Sequence, residues 1–140
     1  MDADELRRLA AEDWARFNAH DLSEIEDRVA PGFVNHNAAP GTPDGPEGFA
    51  QVAERLWSAF PDMRFEVEEI FVAEDRVAVL GWMSGTQKGQ FGPFPPSDEE
   101  FRVRQIHTYR YGEDQRLTEH LAVRDDVAMM QQLGHMPAPG

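Results

Sequence analysis

The chain has no cysteine, which excludes disulfide cross-links, thiolate catalysis and Cys-ligated zinc. Basic residues are scarce: 13 Lys and Arg stand against 26 Asp and Glu, a formal charge of −13. Phosphate contacts need a basic footprint, so no nucleic-acid partner is expected, and no anionic membrane surface either. No apolar run approaches the roughly 20 residues that cross a bilayer. The N-terminus is acidic and amphipathic, without the basic-then-apolar pattern of a secretory signal, and a cytoplasmic setting is expected. Dinucleotide-binding glycines, a P-loop and a G-x-S-x-G elbow are all missing. None of the five histidines forms an H-x-H or H-x-x-x-H pair, so no metal is expected.

What remains is ordinary globular material. With 41% hydrophobic residues and three tryptophans, the 140 residues are enough for one cored domain over 1–140. Residues 4–20 read as a helix with Leu6, Leu9, Ala10, Trp14 and Phe17 in one stripe. Ser23-x-x-Glu26 is a capping-box pattern for a short helix stopped by Pro31-Gly32. A short extended piece and a turn-rich loop follow. Residues 46–60 form a second long helix with Phe49, Val52, Leu56 and Phe60 on one side.

From Arg64 the period changes from helical to alternating. Residues 64–73 and 76–86 read as strands around a Glu74-Asp75 turn. Residues 87–99 are too rich in Pro and Gly for regular structure, 100–111 and 115–124 are strands, and 126–133 is a last helix between Asp125 and Gly134. Helices first and four antiparallel strands after give an α+β fold, with helices on the concave face of a curved antiparallel sheet and a cavity at its open end.

The candidate chemistry lies on the last two strands. Alternation puts Phe101, Val103, Gln105, His107, Tyr109 and Tyr111 on one face, and Leu117, Glu119, Leu121 and Val123 on one face of the next run. A three-residue turn over Gly112-Glu113-Asp114 then sets His107 opposite Glu119, with Cβ atoms roughly 5–8 Å apart. A buried carboxylate beside an imidazole titrates with it as a unit and can move a proton, while the plain alternative is a structural pair that fixes register. Asn35 shares the inward face with Phe33, and Asn37 comes next on it, while His36 points away. Gln105, Tyr109 and Trp14 are expected to line the cavity, and Phe91 and Phe94 to cover it from the loop. The opposite sheet face, with Arg102, Arg104, Arg110 and Arg124 beside Glu66 and Glu68, reads as ion pairs. The alternative is a subunit interface with Leu80, Trp82 and Ile106 as its apolar part.

Phe33-Val34-Asn35-His36-Asn37, Gly45-Pro46-Glu47-Gly48, Phe60-Pro61-Asp62-Met63-Arg64-Phe65, Leu117-Thr118-Glu119-His120 and the stretch 124–134 (RDDVAMMQQLG) together resemble the SnoaL-like polyketide cyclases. These are cone-shaped α+β proteins of the nuclear-transport-factor-2-like superfamily. The resemblance implies a cofactor-free, metal-free enzyme of secondary metabolism, a homodimer or higher homo-oligomer, acting on a hydrophobic polyketide-like substrate. On matching positions it implies Glu119 as acid/base for an intramolecular aldol closure, with His107 and Asn35 assisting. Two alternatives stay open: epoxide opening with Glu119 as base and a protonated His107 as acid, and a non-catalytic small-molecule-binding protein of the same fold.

Overall fold

Five strands make one sheet in the computed structural model, which describes residues 1–139. They are β1 (Val29–Asn35), β2 (Arg64–Ala73), β3 (Arg76–Thr86), β4 (Glu100–Tyr111) and β5 (Leu117–Arg124), in the spatial order β1-β5-β4-β3-β2. The four later strands pair antiparallel. The extended piece before the loop is a fifth strand, and it runs parallel to β5 with Val34 beside Glu119. The expected sheet is therefore corrected from purely antiparallel to mixed. A parallel partner must come from far along the chain, so no local pattern announces it.

Helix α1 (Ala3–Asn18) starts where Asp2 accepts from the backbone N–H of Glu5 at 2.8 Å. It buries Leu6, Leu9, Ala10 and Trp14, the stripe its spacing predicts. Helix α2 is one turn, Ile25–Arg28, and Ser23 does not cap it; the Ser23 N–H donates instead to Asp21 at 2.9 Å. Helix α3 (Gly45–Ala59) and helix α4 (Asp126–Leu133) complete the set. The latter begins at an Asp125 cap on Ala128 and stops at Gly134 with φ 85°. Helix α1 packs on β2 and β3, α3 on β1, and α4 on β4. Phe60, Phe65, Leu6, Leu9 and Leu133 make the dry part of the core.

Three irregularities interrupt the sheet, one of them a register shift between Val29 and Val34 where β1 pairs with β5. The β2–β3 register slips at Glu68, and the β4–β5 register slips at Thr118. Such a bulge adds a residue to one strand, sharpens its twist and reverses the facing of everything beyond it. Opposite the slip at Glu68, Gly81 is required by close approach. A Cβ there would lie 2.4 Å from the Glu66 carbonyl oxygen and 2.6 Å from the Phe65 ring.

Backbone groups at the ends of pairing are met by side-chain amides that imitate a neighbouring strand. Asn18 accepts from the Phe65 N–H at 2.7 Å and donates to its C=O at 2.8 Å. Asn37 does the same for Ala122, at 2.7 and 2.9 Å. Gln132 does so for Arg102, at 2.6 and 3.2 Å. Asn18→Ala leaves both Phe65 groups without a protein partner on the outer edge of β2 and should cost about 1–2 kcal/mol. Urea unfolding against the unaltered protein measures it, and no loss would show that water replaces the clamp fully.

Candidate active site

Strand β4 delivers the face that alternation predicts. Phe101, Val103, Gln105, His107 and Tyr111 are buried, and Tyr109 joins them on the inward side. Strand β5 does not. Its turn is longer than the expected three residues: the Gly112 N–H bonds the Arg116 carbonyl at 2.9 Å, and Gln115 sits at φ 68°. Tyr111 therefore faces Leu117, and after the bulge at Thr118, Arg110 faces Glu119 and Tyr109 faces His120.

The proposed pairing of His107 with Glu119 is corrected. Glu119 lies on the outer face, hydrogen-bonded to Nε2 of His36 at 2.7 Å, while Nε of Arg110 stands 3.3 Å away as an ion pair without a hydrogen bond. The His36 hydrogen bond holds its carboxyl below the usual value against the opposing effect of desolvation, and the charge of Arg110 adds to the lowering. Leu121 and Val123, read as core because they are apolar, are 43% and 68% exposed. His120, expected on the opposite face from His107, points inward with Ala122.

Inside, four polar side chains form a line. Asn35 Oδ1 is 2.9 Å from Nδ1 of His120, Nε2 of His120 is 2.9 Å from Nδ1 of His107, and Nε2 of His107 is 2.8 Å from Oε1 of Gln105. The Asn35 oxygen also accepts from the Asn37 N–H at 3.0 Å, which fixes which end of that amide faces the imidazole. Trp14 and Phe65 stand edge-on to the His107 ring, with centroids 4.8 and 5.1 Å away.

Burial in this setting holds His107 well below the ordinary imidazole value, with the charges of His120 and Arg124 acting in the same direction. Burial, then Arg124 and His36, lowers His120 to about 4. Both rings are thus neutral at pH 7.

The line forms one wall of a cavity of about 380 Å3, within the range of small-molecule sites (roughly 300–1,000 Å3). Phe33, Phe49, Val52 and Leu56 line its apolar side. Every expected lining residue is there: Trp14, Asn35, Asn37, Gln105, Tyr109, Phe91 and Phe94. Phe91 and Phe94 bond each other's backbone at 2.9 Å, which holds the loop shut on itself over the cavity. Asn37 lines the cavity too, but its amide is committed to Ala122. Met129 and Met130 also reach the cavity from α4.

Sequence reasoning missed Asp13, His120 and the Arg124–Asp126 pair at 3.5 Å, all cavity-lining. Asp13 was legible, since it falls between Leu9 and Phe17 at helical spacing on the apolar stripe. Burial raises its carboxyl, although Tyr111 donates to Oδ2 at 2.7 Å and Arg28 to Oδ1 at 2.8 and 3.0 Å. Burial and the nearby Asp13 push Tyr109 and Tyr111 well above the usual phenol value. Among the described residues, no three His, Asp or Glu side chains are placed to share a metal ion. No helix among them is long and apolar enough to cross a membrane.

Comparison with known families matches residues 5–133 to the SnoaL-like polyketide cyclases. The chain belongs to this family. IdmH from Streptomyces antibioticus, a proposed polyketide cyclase, is 31% identical over 91% of this chain and 97% of its own, with a TM-score of 0.77. TsrD from Streptomyces laurentii superposes with a TM-score of 0.86 at 22% identity, covering 97% and 99% of the two chains; at that identity the likeness is one of fold. AclR from Streptomyces galilaeus, a proposed hydroxylase, gives 0.83 at 25% identity over 99% of this chain and 87% of its own. No curated protein matched. In this chain the His107 and His120 side chains meet on a diagonal across the β4–β5 ladder.

The neutral pair makes stability depend on pH. In the unfolded chain His120 takes a proton near its ordinary value of 6.5; in the folded chain it does so only near 4. As pH falls through that window the unfolded state binds the proton first, so stability present above about pH 7.5 is lost toward pH 4. A displacement of that size corresponds to on the order of 3 kcal/mol. Urea unfolding at pH 7.5 and 4.5 should therefore show a steeper loss for the native protein than for His120→Gln. Equal losses would mean that His120 is not buried neutral.

Proposed function

We propose that the protein is a cofactor-independent acid/base cyclase that closes a ring in a hydrophobic polyketide-like substrate by an intramolecular aldol-type step. The observation that carries this reading is the neutral His107–His120 pair set in the wall of a largely apolar cavity. Glu119, the base first expected, gives way to the pair.

A buried neutral imidazole is a weak base in the empty site because nothing compensates the charge it would acquire. The balance changes when a substrate brings a C–H flanked by carbonyls. Its enolate would form beside the ring that receives the proton, and the two opposite charges offset each other's burial. The interaction exists only once charge develops, so it favours the transition state over the bound ground state. The receiving lone pair would be Nε2 of His107, reached when the substrate displaces the Gln105 amide, and the same nitrogen then returns the proton to the new alkoxide. Trp14, Phe33, Phe49 and Leu56 hold the flexible chain folded, and such positioning supplies up to about 10 kcal/mol of a barrier.

Epoxide opening is less well supported, since it asks for an imidazolium acid that burial disfavours. Product analysis on an epoxide against a poly-β-keto substrate separates the two reactions. A site that binds but never turns over would return the non-catalytic reading.

Glu119→Gln should leave cyclisation within about twofold of the native rate, whereas His120→Ala and His107→Phe should each lower it by about 10²–10⁴. Loss of activity in the Glu119 variant with retention in the histidine variants would overturn the assignment.

We infer also that the outer sheet face joins two copies. Leu80, Ile106 and Val123 lie in one cross-strand row with Leu121 beside it, and Ile106 is 43% exposed. Both charge signs frame the row, with Arg102 on Glu66 and Arg104 on Glu68, as a surface that meets itself about a two-fold axis requires. Sedimentation should give a dimer for the native protein and a monomer for Val123→Arg. A native monomer would refute the interface.

A further inference from the structure

The donors and acceptors of the polar line can be counted, and the count fixes an orientation. The Asn35 oxygen is an acceptor, because the Asn37 N–H is bonded to it at 3.0 Å. Nδ1 of His120, 2.9 Å from that oxygen, therefore carries a proton. Two neutral rings share only two ring protons. If His120 is protonated at Nδ1, its Nε2 is a lone pair, and the proton between the rings belongs to Nδ1 of His107. Nε2 of His107 is then a lone pair as well, facing Oε1 of Gln105 at 2.8 Å, acceptor against acceptor.

Three changes relieve this, and they differ in cost. Turning Asn35 loses its bond with the Asn37 backbone. Adding a third proton makes a buried imidazolium with no carboxylate in the line: Glu119 is on the other face, Asp13 is held by Arg28 and Tyr111, and Asp126 faces Arg124. Arg124 itself repels such a charge. A half-turn of the Gln105 amide loses no hydrogen bond but the faulty one and exchanges atoms of nearly equal size. The cheapest arrangement has the Gln105 nitrogen donating to His107.

We propose that Gln105 is the specificity-determining residue of this site: its amide donates to Nε2 of His107 and presents its oxygen to the cavity, where it selects a neutral ligand bearing a hydroxyl or enol O–H. The remaining free groups complete the pattern. Asn35 keeps an amide nitrogen without a protein partner among the described residues, and so does the Tyr109 hydroxyl; both line the cavity and neither is a sealed-off unsatisfied atom. The site thus offers an acceptor at the Gln105 end of the line and two donors at its other end, where Asn35 bonds His120 and Tyr109 stacks on it. That is the complement of a molecule with an O–H at one end and further oxygens a ring's length or more away, as in an extended polyoxygenated chain or ring system. The inference rests on the proposed site and deepens it by naming the group the substrate must carry.

Two measurements test it without requiring turnover. Long-range nitrogen–proton correlation spectra of histidine-labelled protein at pH 7 should show Nε2 unprotonated and Nδ1 protonated in both His107 and His120, assigned with single His→Asn variants. Protonation of His107 at Nε2, as the other tautomer or as an imidazolium, would overturn the proposal. The second compares 2-naphthol with 2-methoxynaphthalene, which share a ring system and differ in the O–H. The native protein should bind the naphthol about fivefold or more tightly than the ether, the worth of one hydrogen bond, and Gln105→Met should abolish the difference. Equal binding by the native protein, absence of binding by both probes, or a preference that survives in Gln105→Met would each sink it. Retained cyclisation in the histidine variants would instead defeat the acid/base reading and leave the tautomer and probe results standing.

Discussion

One extra residue in β5 decides what this protein can do. Without the bulge at Thr118 the strand would alternate regularly from Leu117, placing Glu119 inside and His120 outside. With it, the imidazole enters the cavity and the carboxylate joins His36 and Arg110 on the far face. The Thr118 hydroxyl donates to the Arg110 carbonyl at 3.1 Å, so the bulge is bonded to the strand it departs from. Beyond it, Leu121 and Val123 turn outward, giving the outer face its apolar row.

The polar line is stabilised by its completeness. Each ring nitrogen of His107 and His120 has a partner, and an aromatic shell of Trp14, Phe65 and Tyr109 keeps water from competing. Trp14 Nε1 is the one group of that shell left buried without a partner among the described residues; an unpaired ring nitrogen would cost about 1–3 kcal/mol more, so the burial that keeps both rings neutral favours their mutual bond. Asn37 ties β5 to the loop after β1, and the last residue of β1, Asn35, ends the line. Fold and site are coupled through these few amides.

Much of this is legible in the amino-acid sequence. Helical spacing located the Leu6–Trp14 stripe, and the alternation of Gln105, His107 and Tyr109 placed three cavity residues on one face of β4. Residues 64–73, 76–86 and 126–133 fall where propensity and capping put them, because local signals govern those elements. The phase of β5 was not legible. Apolar Leu121 and Val123 imitate a core strand, and only the five-residue turn with a left-handed Gln115 shows otherwise. The parallel pairing of β1 depends on a strand more than eighty residues away, and pattern within either segment is silent about it. Asp13 was available to a reading that asked why an acidic residue interrupts an apolar stripe.

The contact between the two imidazoles is the point on which fold, neutrality and chemistry converge. A double-mutant cycle in unfolding free energy, with His107→Phe, His120→Phe and the double variant, measures it directly. A coupling of about 1 kcal/mol or more is expected, alongside none between His107 and Glu119→Gln. Additive effects for the two histidines, or strong coupling of His107 to Glu119, would mean that the strand is phased the other way.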